Sequence, residues 1–268
     1  GTTTISAAGS NITLDDDAAD TDTYGTLVLT GVTVTVVEDA AMDLGTIGAT
    51  TLTLTAAGTI TQSGAATVSG NSTFTAGNTD DVLLTNGGSD YTGTVAFVAS
   101  VGSLANVTID DNSALDLQAL AITGNLDVTA GGAVTDSGQL QITGTTTISA
   151  AGSNITLDDD AADTDTYGTL VLTGANVIVV EDAASDLGLT SISGTLSLTS
   201  TGAVTDSAQV QVAGTTTISA AGNNITLDDD AADTDTYGTL VLTGANVTVV
   251  EDAASDLGLT SISGTLSL

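Results

Sequence analysis

The chain has 268 residues, a formal charge of −33 at neutral pH, and no Lys, Arg, His, Cys, Pro or Trp. This excludes a disulfide framework, a thiolate nucleophile or metal site, a His or Lys general base and an Arg clamp for anions. An apolar fraction of 41% argues against disorder despite the charge, while 2% aromatic residues are too few for a sandwich or α/β core. No apolar run approaches the ~20 residues that span a bilayer, so membrane insertion is not expected.

Repeats begin at Gly1, Gly70, Gly144 and Gly214, giving segments 1–69, 70–143, 144–213 and a truncated 214–268. Residues 144–198 recur at 214–268 with two substitutions, Ser153 to Asn223 and Ile178 to Thr248. A globular core has a different wall on every side and no use for such copying. A structure that is the same along its length does, and periods in this range signal a solenoid or array. The prediction is one continuous β-solenoid over 1–268. The start on a repeat boundary without Met, and the stop inside a repeat, lead us to expect a segment of a longer protein.

The first repeat carries Asn11 at the head of an Asn-x-Thr triplet, then the loop DDDAADTDTYG at 15–25, then Thr35, Glu38 and the Thr-rich string TLTLT at 51–55. The second diverges most and holds Phe74, Tyr91 and Phe97. Rings on one outer face would favour glycan binding; rings turned inward would be core packing.

The third repeat shows a shorter period. GTTTIS (144–149), GTLVLT (168–173) and GTLSLT (194–199) are spaced by 24 and 26 residues, and 20 more reach Gly214. The first two are followed by strings opened by Asn, NITLD (154–158) and NVIVVED (176–182). This predicts about three coils per repeat, each of short strands joined by Gly, Asn and Asp turns. Strands of successive coils pair in parallel with a rise of about 4.8 Å. Ile178 is replaced by Thr in the copies at 248 and 35, so it should face water. Leu170, Leu172, Leu196 and Leu198 should then point inward.

Strings such as AGTITQSGAATVSG (57–70), AAGSNITLDDDAADTDTYGTLVLTGANV (150–177) and SGTLSLTSTGAVTDSAQVQVAG (193–214) resemble the repeats of large bacterial β-strand-repeat exoproteins, grouped with filamentous-haemagglutinin-like adhesins. The resemblance covers all four repeats. It implies an all-β, right-handed parallel β-helix in a secreted or surface-anchored chain.

The acidic loop recurs at 158–168 and 228–238 and is the strongest chemical candidate. Closely spaced carboxylates could wrap Ca²⁺, which takes six to eight oxygens at about 2.3–2.6 Å. The candidate ligands are Asp15, Asp17, Asp20 and Asp22; Asp158, Asp160, Asp163 and Asp165; and Asp228, Asp230, Asp233 and Asp235. The spacing matches neither an EF-hand nor the Gly-rich nonapeptide of calcium-binding β-rolls. At three coils per copy the loops stand about 14 Å apart, too far for one ion to bridge. The competing reading is a solvated bulge that keeps the chain soluble.

Thirty-three charges over roughly 50–55 Å of stacked coils approach the axial charge density of duplex DNA. Divalent cations should gather along the chain, and nucleic acid should be repelled. Asn11, Asn71, Asn106, Asn154, Asn224 and Asn246 each begin an Asn-x-Ser/Thr triplet, which reads as a glycan acceptor or as a corner ladder. The Thr strings at 145–147 and 51–55 are similar to ice-binding arrays but are interrupted by Ser, Val and Ala.

No catalytic residue and no required cofactor emerge, and an enzyme is not expected. The expected role is a structural segment of an extracellular or cell-surface fibre, filament or adhesin stalk. Its partners would be copies of itself, end to end or laterally, and divalent cations. Two alternatives are repeats that bind carbohydrate or a host surface, and a Ca²⁺-dependent surface-layer protein.

Overall fold

Alternating apolar and hydroxyl residues, punctuated by Gly, Asn and Asp, dictate short strands with one dry and one wet face. The computed structural model describes all residues except 15–20, 151, 158–163, 221, 228–233 and 253. Among the described residues there are 34 strands and no helix. The chain is an all-β parallel solenoid. Its contacts group it into two compact units, Gly1–Gly132 and Ala133–Leu268.

The second unit is built from two parallel sheets. One runs through Thr145–Ser149, Thr169–Gly174, the pair Ser185–Leu187 and Thr190–Ile192, the pair Val204–Asp206 and Val210–Val212, Ile225–Leu227 and Val247–Val249. The other runs through Ile155–Leu157, Val177–Glu181, Leu196–Ser200, Thr215–Ser219 and Thr239–Gly244. The chain passes from one sheet to the other and back, laying one rung on each per turn.

This register refines the expected count of about three coils. Residues 144–213 cross seven faces, which is three and a half turns. The next copy therefore starts half a turn out of phase: Thr145–Ser149 lies in one sheet and its duplicate Thr215–Ser219 in the other. The first unit behaves alike, with Thr2–Ser6 opening one repeat on one sheet and Ser72–Ala76 opening the next on the other. The similar strings GTLVLT and GTLSLT are not stacked neighbours, as their spacing suggested. Leu196–Ser200 stacks on Val177–Glu181, 19 residues back. The 24- and 20-residue spacings are each one turn, and the 26-residue spacing is one and a half.

Side-chain facing follows the alternation. Leu170, Leu172, Leu196 and Leu198 are buried, whereas Ile178 is 41% exposed. Inward residues form ladders such as Val179–Leu198–Ile218–Leu242. Each fully buried Leu contributes about 1.5–3 kcal/mol. In the first unit one ladder widens to Leu54–Phe74–Phe97. The Phe rings stack at 5.7 Å, and Tyr91 meets Phe74 edge-on at 5.9 Å. All three rings are buried, so they fill the core of the divergent repeat and offer no outer platform for a glycan.

The aligned Asn residues form the corner ladder. Asn176 donates its side-chain N–H to Asn154 Oδ1 at 3.0 Å, and Asn176 Oδ1 accepts from Thr195 N at 3.1 Å. Asn224, Asn246 and Thr265 repeat the arrangement. Asn11, Asn71 and Asn106 likewise accept the backbone N–H of Thr33, Thr94 and Asn125 one turn on.

Gly168 and Gly238 hold the left-handed φ of +59° where the chain leaves the acidic loop. A Cβ at Gly168 would collide with the carbonyl oxygen of Gly144 on the adjacent turn. Strain and collision together set the expectation for Gly168→Ala: a loss of about 1–3 kcal/mol, seen as a lower midpoint in chemical denaturation.

Candidate functional site

The acidic loop was the principal candidate, and its tip lies outside the described residues. Asp15, Asp17, Asp20, Asp158, Asp160, Asp163, Asp228, Asp230 and Asp233 are all in that part. Asp22, Asp165 and Asp235, at the end of each copy, are described. In the second unit, one loop follows Ile155–Leu157 and the next follows Ile225–Leu227, which belong to opposite sheets.

At the root of each loop, polar groups tie the returning chain to the scaffold. Asp165 and Asp235 are buried, and their Oδ1 atoms accept the N–H groups of Leu140 and Val210 at 2.6 and 2.7 Å. Asp165 N donates to Asp182 Oδ2 at 3.3 Å. Two residues on, the backbone carbonyls of Tyr167 and Tyr237 accept the hydroxyls of buried Thr146 and Thr216, both at 2.7 Å. Tyr237 donates its hydroxyl to Asp206 Oδ2 at 2.6 Å, and Tyr24 donates to Asp22 Oδ2 at 2.7 Å. Burial, then carboxylates around them, holds the Tyr167 and Tyr237 hydroxyls far above the ordinary phenol range.

The residues that sequence reasoning passed over are the three glutamates. Glu38, Glu181 and Glu251 accept the backbone N–H of Tyr24, Tyr167 and Tyr237 through Oε1 at 3.0, 3.1 and 3.0 Å. Glu38 and Glu181 are 2% and 1% exposed, and their Oε2 atoms are buried without a hydrogen bond. Burial raises both carboxyls above their ordinary range, and the Tyr N–H pulls each partway back. At Glu181 the neighbouring Ser185 hydroxyl lowers it as well. The signal was available: every Glu in the chain occupies this one aligned position at the end of a Val-rich strand.

Chemically, this root is a brace. Its carboxylates face backbone N–H groups and Tyr hydroxyls, and among the described residues no three acidic side chains converge as a metal site. A groove in the second unit is lined by neutral groups, including Ser191, Ser193, Gln211 and Thr236. Among the described residues it holds no acid–base pair.

No curated protein and no solved structure matches the chain. Three consecutive stretches, 31–98, 104–172 and 174–242, match the family described as repeats of unknown function, DUF5649. The matches start about 70 residues apart, the length that carries the chain through seven faces. Together they cover most of the 268 residues, and the chain belongs to this family of tandem repeats.

Proposed function

We propose that this chain is a structural segment of a secreted or cell-surface fibre, filament or adhesin stalk, of the filamentous-haemagglutinin-like kind. It supplies length, stiffness and a polyanionic surface and performs no catalysis. The observation that carries the reading is the near-identical repeat stacked in register by ladders of aliphatic side chains and corner Asn residues. In such an array each turn is stabilised mainly by its neighbours, so length can grow without redesigning the core. With no His, Lys, Arg or Cys, the groups that most often act as bases, nucleophiles or anion clamps are missing. Divalent cations act in this reading as diffuse counter-ions along the chain.

The test is the increment in length per repeat. Three and a half turns at about 4.8 Å give roughly 17 Å per 70-residue copy. Chains with one, two and three extra copies of 144–213, compared by small-angle X-ray scattering, should lengthen by that step at constant cross-section. A maximum dimension that fails to grow with copy number would overturn the spacer reading.

A further inference from the structure

We propose that in each unit one sheet, that of Thr33–Glu38 and Thr51–Ala56 in the first and that of Val177–Glu181 and Leu196–Ser200 in the second, is a face on which a second copy of this chain docks laterally. Charge restricts where two copies can meet. A molecule with 33 acidic groups and no basic side chain repels its own copies, so two of them can meet closely only where charge is absent. In the first unit, five consecutive strands of this sheet, from Ile12–Leu14 to Thr94–Ala99, present only Thr, Val and Ala outward. The first charge is Asp116, paired with Thr94 on the next rung. The opposite sheet of the same unit carries Asp43, Asp90, Asp110 and Asp127 at outward positions.

The second unit repeats the pattern independently. Five strands, from Ile155–Leu157 to Thr239–Gly244, present only Thr, Ser, Ile and Val, and the next rung brings Asp256 against Thr239. The half-turn phase explains the width of both windows. In the first unit the strand with Asp43 lies on the opposite sheet and its equivalent with Asp116 on this one, so this sheet meets that Asp only at the end of the run. In the second unit Asp186 and Asp256 divide in the same way.

Shape and exposure agree with charge. The column Thr13–Thr35–Thr53–Thr73–Ala96 runs in unbroken register, a flat surface of small side chains suited to face-to-face sheet packing at about 10 Å. Val98 and Ile178, each 41% exposed, lie in these windows. Four rises of about 4.8 Å by about five residues of strand give roughly 300 Å² per window. A stable pairwise interface needs about 800 Å² on each partner. One window is therefore a weak contact, and repetition along the chain supplies the strength. The inference deepens the fibre reading and rests on it.

Sedimentation velocity of the full chain in chelator, at low and at 1 M NaCl, tests it. Screening should let wild type associate reversibly at high salt, with at least a twofold rise in weight-average mass. Thr53→Asp combined with Ile178→Asp puts one charge in each window and should hold the chain monomeric. The control pair Thr108→Asp and Thr205→Asp, on the opposite sheets, should behave as wild type. Circular dichroism and melting verify that all three are folded. Wild type that stays monomeric at high salt, or window variants that associate as wild type does, overturns the proposal. Neither result touches the length increment per repeat, which decides the spacer reading separately. Association through the acidic edges would appear instead as self-assembly that the window charges do not affect.

Discussion

Phe74→Ala should remove about 3–5 kcal/mol from the first unit, the largest effect expected of any single substitution in the chain. Phe74 is fully buried, stacks on Phe97 at 5.7 Å and receives the edge of Tyr91. Its column continues with Leu54 on the turn before and Phe97 on the turn after, each fixed in its own rung, so the neighbours cannot collapse into the space. Because turns depend on near neighbours, the loss should stay local. Calorimetry should show a transition assigned to residues 1–132 moving down while that of 133–268 stays in place. A single transition shifting as a whole would mean that the two units unfold as one.

The second large effect is on pH dependence. Glu38 and Glu181 are buried with one oxygen unbonded, and burial raises both carboxyls. The folded state therefore favours their neutral form more than the unfolded state does. The stability each contributes is complete below the ordinary carboxyl value of 4.5 and is lost as pH rises through the raised folded value. Asp111 and Asp127 are raised as well, by burial first and by a neighbouring carboxylate, Asp90 and Asp110 respectively, so they act in the same direction. Melting temperature should climb as pH falls from neutral towards 4.5. Relief of general repulsion among the acidic groups adds to the climb, so the variant Glu181→Gln isolates the buried part. Gln keeps the acceptor for Tyr167 N–H and can donate to the neighbouring Ser185 hydroxyl oxygen. It should be more stable than wild type at neutral pH by roughly 1 kcal/mol, with a shallower pH slope. Equal slopes in the two proteins would show that Glu181 is not a buried titrating group.

Which residues face inward was legible from the sequence. One substitution in the duplicated segment marked Ile178 as outward, and strict alternation carried that assignment through the strand. The Asn triplets were legible as a corner because Asn-x-Thr recurs where strings begin. The stacking order was not legible. GTLVLT and GTLSLT satisfy the same aliphatic ladder, and corners absorb enough residues that register neighbours lie anywhere from 17 to 25 positions apart. Sequence similarity therefore grouped strands that the fold places on opposite sheets, and the half-turn phase stayed hidden. The buried glutamates were missed for a related reason. A charged residue at a strand end reads as part of a solvated loop until the turn above closes over it. At the end of the acidic loop, Asp165 and Asp235 accept backbone N–H groups and Asp22 accepts the Tyr24 hydroxyl.

Each repeat makes three and a half turns, and the absence of cysteine allows a direct test by cross-linking. Ser197 lies beside Ile178 in the register, on neighbouring outward positions of one sheet. Adjacent parallel strands about 4.8 Å apart lie within disulfide reach. The double variant Ile178→Cys with Ser197→Cys should cross-link within the chain under mild oxidation. Val171→Cys with Ser197→Cys, the pair that simple three-coil stacking would place side by side, should remain reduced, because Val171 belongs to the opposite sheet. Cross-linking of Val171 with Ser197, and none between Ile178 and Ser197, would contradict the half-turn register and the two-faced surface derived from it.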